Sequence, residues 1–189
     1  MNHTLFKGLL FLTAGAVQHA TGSLDLDRLG GLAKKMPKTC ILFLIGAASI
    51  SGLPPFNGFA SKWYIYQAAF EKGSSSGNFF FIFVCVVALL TSVLTLASFI
   101  KVAQSVFFGQ LNPAFKDTKE VSLAMRIPMW ILAVLCIVTG LLPGKVSEYL
   151  LTPATNAAMN AVNYIDQMMG QGYALSHGVA GGLADVDVA

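Results

Sequence analysis

The stretch "ISGLPPFNGFASKWYIY", residues 50–66, interrupts an otherwise apolar run over residues 38–70. Pro54 and Pro55 have no backbone N–H group, and Gly58 relaxes the chain beyond them, so the sequence predicts a helix that stops and restarts. Unpaired backbone groups are tolerated at membrane depth only where they are buried in protein or line a hydrated cavity. We therefore predict a helix break inside a membrane. The alternative is a surface loop that leads into an interfacial helix.

The composition is that of an integral membrane protein. Of the 189 residues, 55% are hydrophobic and only 11% are charged, whereas charged residues make up about a quarter of a typical soluble domain. Three further apolar segments cover residues 4–20, 78–100 and 127–144. We predict an all-α integral membrane protein of the cell (inner or plasma) membrane, with about four transmembrane helices and one of them interrupted at Pro54–Pro55. The small, scattered net charge of +3 argues against nucleic acid as a partner.

The basic residues indicate that the interrupted run crosses the membrane once. With one crossing, loops 21–38 and 101–126 lie on the same side and hold eight lysines and arginines, against two on the other side. With two crossings, the same residues divide five against five. Because basic loops are retained in the cytoplasm, the single crossing is preferred and both loops are predicted to be cytoplasmic.

The sequence divides into a membrane part, residues 1–144, and a C-terminal tail, residues 145–189. A weak amphipathic pattern in the tail predicts a short interfacial helix that presents Ala158, Val162, Ile165 and Met169 on one face.

Lys62 is the first candidate for chemistry, because it follows the break by only a few residues. A lysine inside a bilayer is costly and normally faces a partner or water. Unwound backbone next to it offers carbonyl acceptors, and a buried lysine can exchange its proton, as a proton relay requires. Ser61 is adjacent and Tyr66 lies one turn further on the same helix face, so both are predicted to support Lys62.

A second polar stripe lies on the first apolar segment. His3 and Lys7 are one helical turn apart, and Gln18 continues the same line. This pattern is typical of one wall of a polar channel. The alternative for Lys7 is snorkelling, in which the side chain carries its ammonium group to the membrane surface near the helix end.

Neither a metal nor a cofactor is expected in this chain. Its cysteines, Cys40, Cys85 and Cys136, fall in three separate apolar segments without metal-ligand spacing. The sequence contains no glycine-rich nucleotide motif, no Cys-x-x-Cys pair and no catalytic triad pattern. Any redox chemistry associated with the protein is therefore predicted to reside in partner subunits.

Several motifs together resemble one family. "NHTLFKGLLFLTAGAV" (2–17), "TGSLDLDRLGGLAKKMP" (21–37) and the break stretch (50–66) resemble the antiporter-like subunits of respiratory NADH:quinone oxidoreductase, multi-subunit sodium/proton antiporters and membrane-bound hydrogenases. Within that family, three details look closest to the hydrogenase-4 and formate hydrogenlyase branch: "SGLPPFNGFASKW" (51–63), "SFIKVAQSVFFG" (98–109) and "MRIPMWILAVLCIVTGLLPG" (125–144).

The resemblance implies a position and roles for the candidate residues. Family members contain two inverted five-helix repeats, each with a broken helix and a central lysine or glutamate. The chain matches the end of the second repeat. The resemblance assigns His3 and Lys7 to the lysine-bearing helix as relay residues and places Lys62 near the exit half-channel. It also implies that the chain is the C-terminal part of a longer or split subunit.

The expected function is therefore that of the C-terminal part of a proton-translocating subunit in a hydrogenase or NADH dehydrogenase-type complex. Its expected partners are membrane subunits that supply the missing helices, peripheral hydrogenase or dehydrogenase subunits, and membrane lipid. Two alternatives stay open at this stage. One is a subunit of a monovalent cation/proton antiporter, and the other is a structural membrane subunit or inactive fragment.

Overall fold

A computed structural model describes residues 1–159, and the regular structure within this range is helical throughout. Residues Met1–Leu142 form one compact unit. Its five main helices are α1 (Asn2–Thr21), α2 (Pro37–Ser51), α3 (Asn57–Ser76), α4 (Phe79–Val106) and α5 (Leu123–Leu141). The all-α prediction is thus confirmed.

Helices α2 and α3 together run antiparallel to the single long helix α4. In α2, the ring of Phe43 packs 5.3 Å from that of Phe107, just past the end of α4. In α3, the Tyr66 hydroxyl donates to the Ala88 carbonyl in the first half of α4, at 3.3 Å. As the chain advances through α2 and α3, it contacts residues of successively lower number along α4. The two helices therefore form one interrupted crossing, as predicted. With 28 residues, α4 is about 42 Å long at 1.5 Å per residue, which is enough to cross a bilayer.

The break lies at the middle of this crossing. Lys62, in the second turn of α3, contacts Ser92, which lies midway along α4. The break is therefore at membrane depth and is not a surface loop.

Glycine geometry explains how the chain stops and restarts. Gly52 ends α2 in a left-handed conformation with φ 81°, and its N–H donates to the Ala48 and Ser49 carbonyls at 3.1 Å. Left-handed glycine is a common helix terminator because it has no Cβ to clash. The Pro54–Pro55 peptide is cis. The chain re-enters a helix at Asn57.

Backbone segments pack closely against the break on two sides. Gly58, predicted to belong to the break, lies instead in the first turn of α3, where a Cβ atom would collide with the Ser49 carbonyl oxygen of α2. Gly140 of α5 approaches from another direction, and a Cβ atom there would collide with the Pro55 carbonyl oxygen. The backbones of α2 and α5 therefore pack directly against the break, while the side chains of Leu53, Pro54 and Pro55 remain exposed.

The two basic loops pack against each other at one end of the bundle. The Ala33 N–H donates to the Phe107 carbonyl at 2.9 Å. The Glu120 carboxylate accepts from the Lys38 N–H at 2.9 Å and from the Thr39 hydroxyl at 2.5 Å. Glu120 thereby caps the N-terminus of α2, where backbone donors have no partner inside the helix. Both loops lie on one side of the membrane unit, in agreement with the single-crossing prediction.

Among the described helices, only α4 and α5 are both long enough and apolar enough to span a membrane on composition alone. Helix α2 is too short alone, and α1 and α3 are long enough but more polar. Large apolar side chains such as Phe79, Phe83 and Leu94 are exposed along α4. A surface of this kind suits contact with lipid tails or with neighbouring membrane helices.

The second unit begins at Pro143. In its described part, a short helix, α6 (Pro143–Val146), leads through a π-helical turn (Ser147–Leu151) into α7 (Thr152–Met159). Ala158 of the predicted interfacial helix falls in α7. Val162, Ile165, Met169 and the remainder of the tail to residue 189 lie outside the described residues. The boundary between residues 144 and 145 stays a prediction.

Candidate functional site

Lys62 reaches from α3 to the end of α2 and to the middle of α4. Its ammonium group donates to the Ser51 carbonyl at 3.2 Å and to the Ser92 hydroxyl oxygen at 2.9 Å. The Ser51 carbonyl is available because the last carbonyls of a helix have no partner within it. The lysine stem crosses over Gly52, where a Cβ atom would lie 2.8 Å from Lys62 Cδ. The left-handed glycine therefore ends α2 and also makes room for the lysine.

Ser92 joins Lys62 to Tyr66. The Tyr66 and Ser92 hydroxyl oxygens are 2.7 Å apart, and both hydroxyls also lie within hydrogen-bond distance of the Ala88 carbonyl. Lys62, Ser92 and Tyr66 thus form a continuous polar chain between α3 and α4, which we call the lysine cluster. Ser92 was missed by the sequence reasoning. It is one of several hydroxyl residues on a very apolar segment, and only the packing of α4 shows which one faces α3.

Ser61, predicted as a supporting residue, makes its contacts within its own helix. Its hydroxyl donates to the Asn57 carbonyl at 3.3 Å and to the Gly58 carbonyl at 3.2 Å. It therefore satisfies the first turn of α3 and makes no hydrogen bond to Lys62 within residues 1–159.

His3, Lys7 and Gln18 share the exposed face of α1, while Leu9 and Ala16 on its other side are buried. The structure does not bring this stripe together with the lysine cluster. A helix face that carries a lysine at membrane depth requires contact with further protein or water.

The position of Lys7 bears on the snorkelling alternative. Its ammonium nitrogen lies 5.6 Å from the centroid of the Phe11 ring, one turn towards the C-terminal end of α1. This is a cation–π distance. Snorkelling to the nearer end of the helix would require the opposite direction. His3 packs edge-on against Phe6, with ring centroids 5.2 Å apart.

Within residues 1–159, no group of three or more histidine, cysteine or acidic side chains is placed to hold a metal ion. Cys40, Cys85 and Cys136 are free thiols in separate helices.

These features define the class of protein. A discontinuous helix presents a lysine at the middle of a membrane-crossing bundle, and broken helices of this kind carry ion and substrate sites in transport proteins. A family model described as "NADH:quinone oxidoreductase/Mrp antiporter, TM" matches residues 1–95, which include α1, α2, α3 and the lysine cluster. The chain belongs to this antiporter family of membrane subunits.

The relatives agree with this assignment. Over 169 residues, the chain is 38% identical to the Na(+)/H(+) antiporter subunit A1 of Staphylococcus aureus strain JH9, in an alignment that covers 86% of the chain and 21% of the relative. The same subunit of strain Newman is also 38% identical. The chain therefore spans about a fifth of the length of these relatives.

Two solved structures share the fold. A chain of the membrane-bound sulfane sulfur reductase, an archaeal respiratory membrane complex, superposes with a TM-score of 0.66 and 34% identity, covering 74% of this chain and 22% of that one. A chain of the Mrp complex from Dietzia sp. DQ12-45-1b gives a TM-score of 0.65 and 26% identity, covering 77% and 34%. Both relatives are parts of multi-subunit membrane complexes. The expectation of the hydrogenase-4 and formate hydrogenlyase branch gains no specific support from these relatives.

Proposed function

We propose that the chain is part of a subunit that exchanges monovalent cations for protons, with Lys62 as a proton-exchange site. The observation that carries the proposal is the lysine cluster at the helix break, midway along α4. The 38% identity to Na(+)/H(+) antiporter subunit A1 favours cation/proton antiport over the hydrogenase-type function expected from the motifs.

The lysine cluster suits proton exchange because its hydroxyl groups can serve both protonation states. As an ammonium group, Lys62 donates to Ser92, which can pass its own proton towards Tyr66. As a neutral amine, Lys62 can accept from Ser92, which then accepts from Tyr66. Hydroxyl groups both donate and accept and can rotate. The hydrogen bonds of the lysine cluster can therefore reverse their direction without the movement of a heavy atom. A proton can therefore enter or leave Lys62 without leaving a partner unsatisfied.

His3, Lys7 and Gln18 are proposed as a second polar station, on the face of α1 that is open to other parts of the complex. Two lysines that exchange protons along one path repel each other when both are charged. Their protonation would therefore be coupled. The basic loops 21–38 and 101–126 are proposed to face the cytoplasm, because they hold eight of the ten lysines and arginines outside the apolar runs.

A second candidate is a proton-translocating subunit of a respiratory complex. The 34% identity and TM-score of 0.66 to a chain of the sulfane sulfur reductase complex favour it. In that case, other membrane subunits would complete the path and peripheral redox subunits would supply the driving reaction. Transport that requires Na⁺ and proceeds without an electron donor supports antiport. Transport that requires an electron donor supports the respiratory candidate.

The test is made in the intact native complex, reconstituted in vesicles. Lys62→Ala is expected to abolish proton movement while the complex still assembles, as judged by size-exclusion chromatography. Lys101→Ala is the matched control, because Lys101 is an exposed lysine near the end of α4, and it should transport normally. Full transport by the Lys62 variant would refute the proposal. Loss of assembly in that variant alone would instead support a structural role.

A further inference from the structure

We infer that one face of α3, formed by Trp63, Tyr64, Gln67 and Glu71, binds another membrane helix of the complex through hydrogen bonds. The four residues lie within about 100° of one another around the helix axis, and all four are exposed. Their side-chain polar groups have no hydrogen-bond or ion-pair partner among residues 1–159. We call this surface the α3 polar face.

Most of the α3 polar face lies inside the hydrocarbon layer of the membrane. The Cys85 thiol of α4 donates to the carbonyl of Tyr66, the residue before Gln67, at 3.8 Å. Cys85 is about 11 Å from the middle of α4, at 1.5 Å per residue, and half of the hydrocarbon layer is about 15 Å thick. Trp63 and Gln67 therefore lie at hydrocarbon depth, whereas Glu71 lies one turn beyond Gln67, towards the membrane surface.

Lipid tails cannot satisfy this face. Hydrocarbon offers no acceptor for the indole N–H of Trp63 or the hydroxyl of Tyr64, and no partner of either kind for the Gln67 amide. Helix α4 provides the contrast, because its exposed side chains at similar depth, such as Val93 and Leu94, are apolar. The α3 polar face therefore requires either protein or water.

The aromatic rings favour a protein partner over a water-filled cavity. Trp63 stacks on Phe59, with ring centroids 5.9 Å apart and an angle of 23° between the rings, and both side chains are exposed. In a hydrated cavity this apolar area would be left in contact with water. Tryptophan and tyrosine combine a large apolar surface with one polar group, and they are enriched where protein surfaces meet.

The polar groups define what the partner helix carries. The indole N–H of Trp63 can only donate, so it needs an acceptor opposite it. The exposed Glu71 carboxylate attracts a lysine or arginine, and the Gln67 amide suits a hydrogen bond between membrane helices. The partner we assign is a membrane helix with an acceptor facing Trp63 and a basic residue facing Glu71. Because Lys62 contacts α2 and α4 instead, the inference holds whether or not Lys62 exchanges protons.

The first test introduces the photo-reactive residue benzoylphenylalanine in place of Tyr64 in the native complex. We expect irradiation to join this position to a peptide from a membrane helix that carries the acceptor and the basic residue described above. Adducts with lipid alone, or with residues 160–189 of the same chain, would overturn the inference.

The second test asks whether water fills the space next to the α3 polar face. In Gln67→Cys, a membrane-impermeant maleimide should label the intact complex no more than it labels the wild type, because the partner helix covers the position. Rapid labelling of the variant would show a water-filled cavity and would overturn the inference.

The third test measures how firmly the chain is held in the complex. In lipid, Gln67→Leu would be neutral or favourable, whereas against a polar partner it leaves the partner's group unpaired. We expect the fraction of the chain that co-purifies with the complex in mild detergent to fall severalfold. Ile65→Leu is the control, because Ile65 is exposed on a different side of α3 and should change nothing.

Tyr64→Phe is an independent variant that removes only one oxygen atom, so it preserves the fold of the chain. It should also reduce co-purification. Normal co-purification of both the Gln67 and the Tyr64 variants would overturn the inference.

Discussion

Gly52 offers a direct test of how the end of α2 positions the lysine. Its φ of 81° is left-handed, and a Cβ atom there would lie 2.8 Å from Lys62 Cδ. In Gly52→Ala, the backbone strain costs about 1–2 kcal/mol. The methyl group also displaces the lysine stem, and the loss of hydrogen bonds from a charged group costs about 1.5–3 kcal/mol more. We therefore expect a total destabilisation of about 2.5–5 kcal/mol, together with impaired transport.

Gly77 provides the matched control for this substitution. It ends α3 in a left-handed conformation with φ 63°, and nothing lies within 4 Å of the position its Cβ atom would take. Gly77→Ala therefore has the same kind of backbone strain without any contact with Lys62. The assay measures the thermal midpoint and proton transport of the native complex for both variants. If the two variants lose the same stability and transport equally, displacement of Lys62 is not the cause and the reasoning fails.

Three further substitutions test the contacts around the break and at the loops. Ser92→Ala should lower the free energy of unfolding by about 1.5–3 kcal/mol and should slow transport severalfold, because it removes the link between Lys62 and Tyr66. Ser98→Ala, at an exposed position of the same helix, should change neither quantity in the same vesicles. Glu120→Ala removes both side-chain hydrogen bonds at the start of α2 and should lower the free energy of unfolding by about 1–2 kcal/mol. Thermal unfolding measures this loss, with Asp117→Ala at an exposed position as the control. Gly140→Ala forces α5 away from the break and should destabilise the complex by about 1–3 kcal/mol. A normal thermal midpoint in that variant would contradict the close packing of α5 against the backbone of the break.

The sequence was most informative where the physical cause is local. Two adjacent prolines cannot continue a helix, whatever surrounds them, so the break could be placed at Pro54–Pro55 without knowledge of the fold. The single crossing followed from the distribution of basic residues, which depends on the membrane and not on side-chain packing. Lys62 could be selected because a lysine next to unwound backbone at membrane depth requires a partner.

The contacts that complete the site were beyond sequence reasoning because each joins positions far apart in the chain. Ser92 differs from the neighbouring hydroxyl residues only in facing α3, and that depends on the rotation of α4. Gly140 looked like an ordinary glycine in an apolar helix until its contact with Pro55 was known. The hydrogenase branch expected from short motifs gained no specific support, because the relatives that are 38% identical are Na(+)/H(+) antiporter subunits A1.

The bond from Lys62 to the Ser51 carbonyl has a thermodynamic consequence. The last carbonyls of α2 form the negative end of a helix dipole, and the ammonium group of Lys62 is the cation that neutralises it. When the proton leaves, the last turn of α2 loses its counter-charge. Protonation of Lys62 and order in the last turn of α2 are therefore linked, and linkage acts equally in both directions. A ligand, lipid or subunit that tightens or loosens that turn, even without touching the lysine, would change how firmly the proton is held.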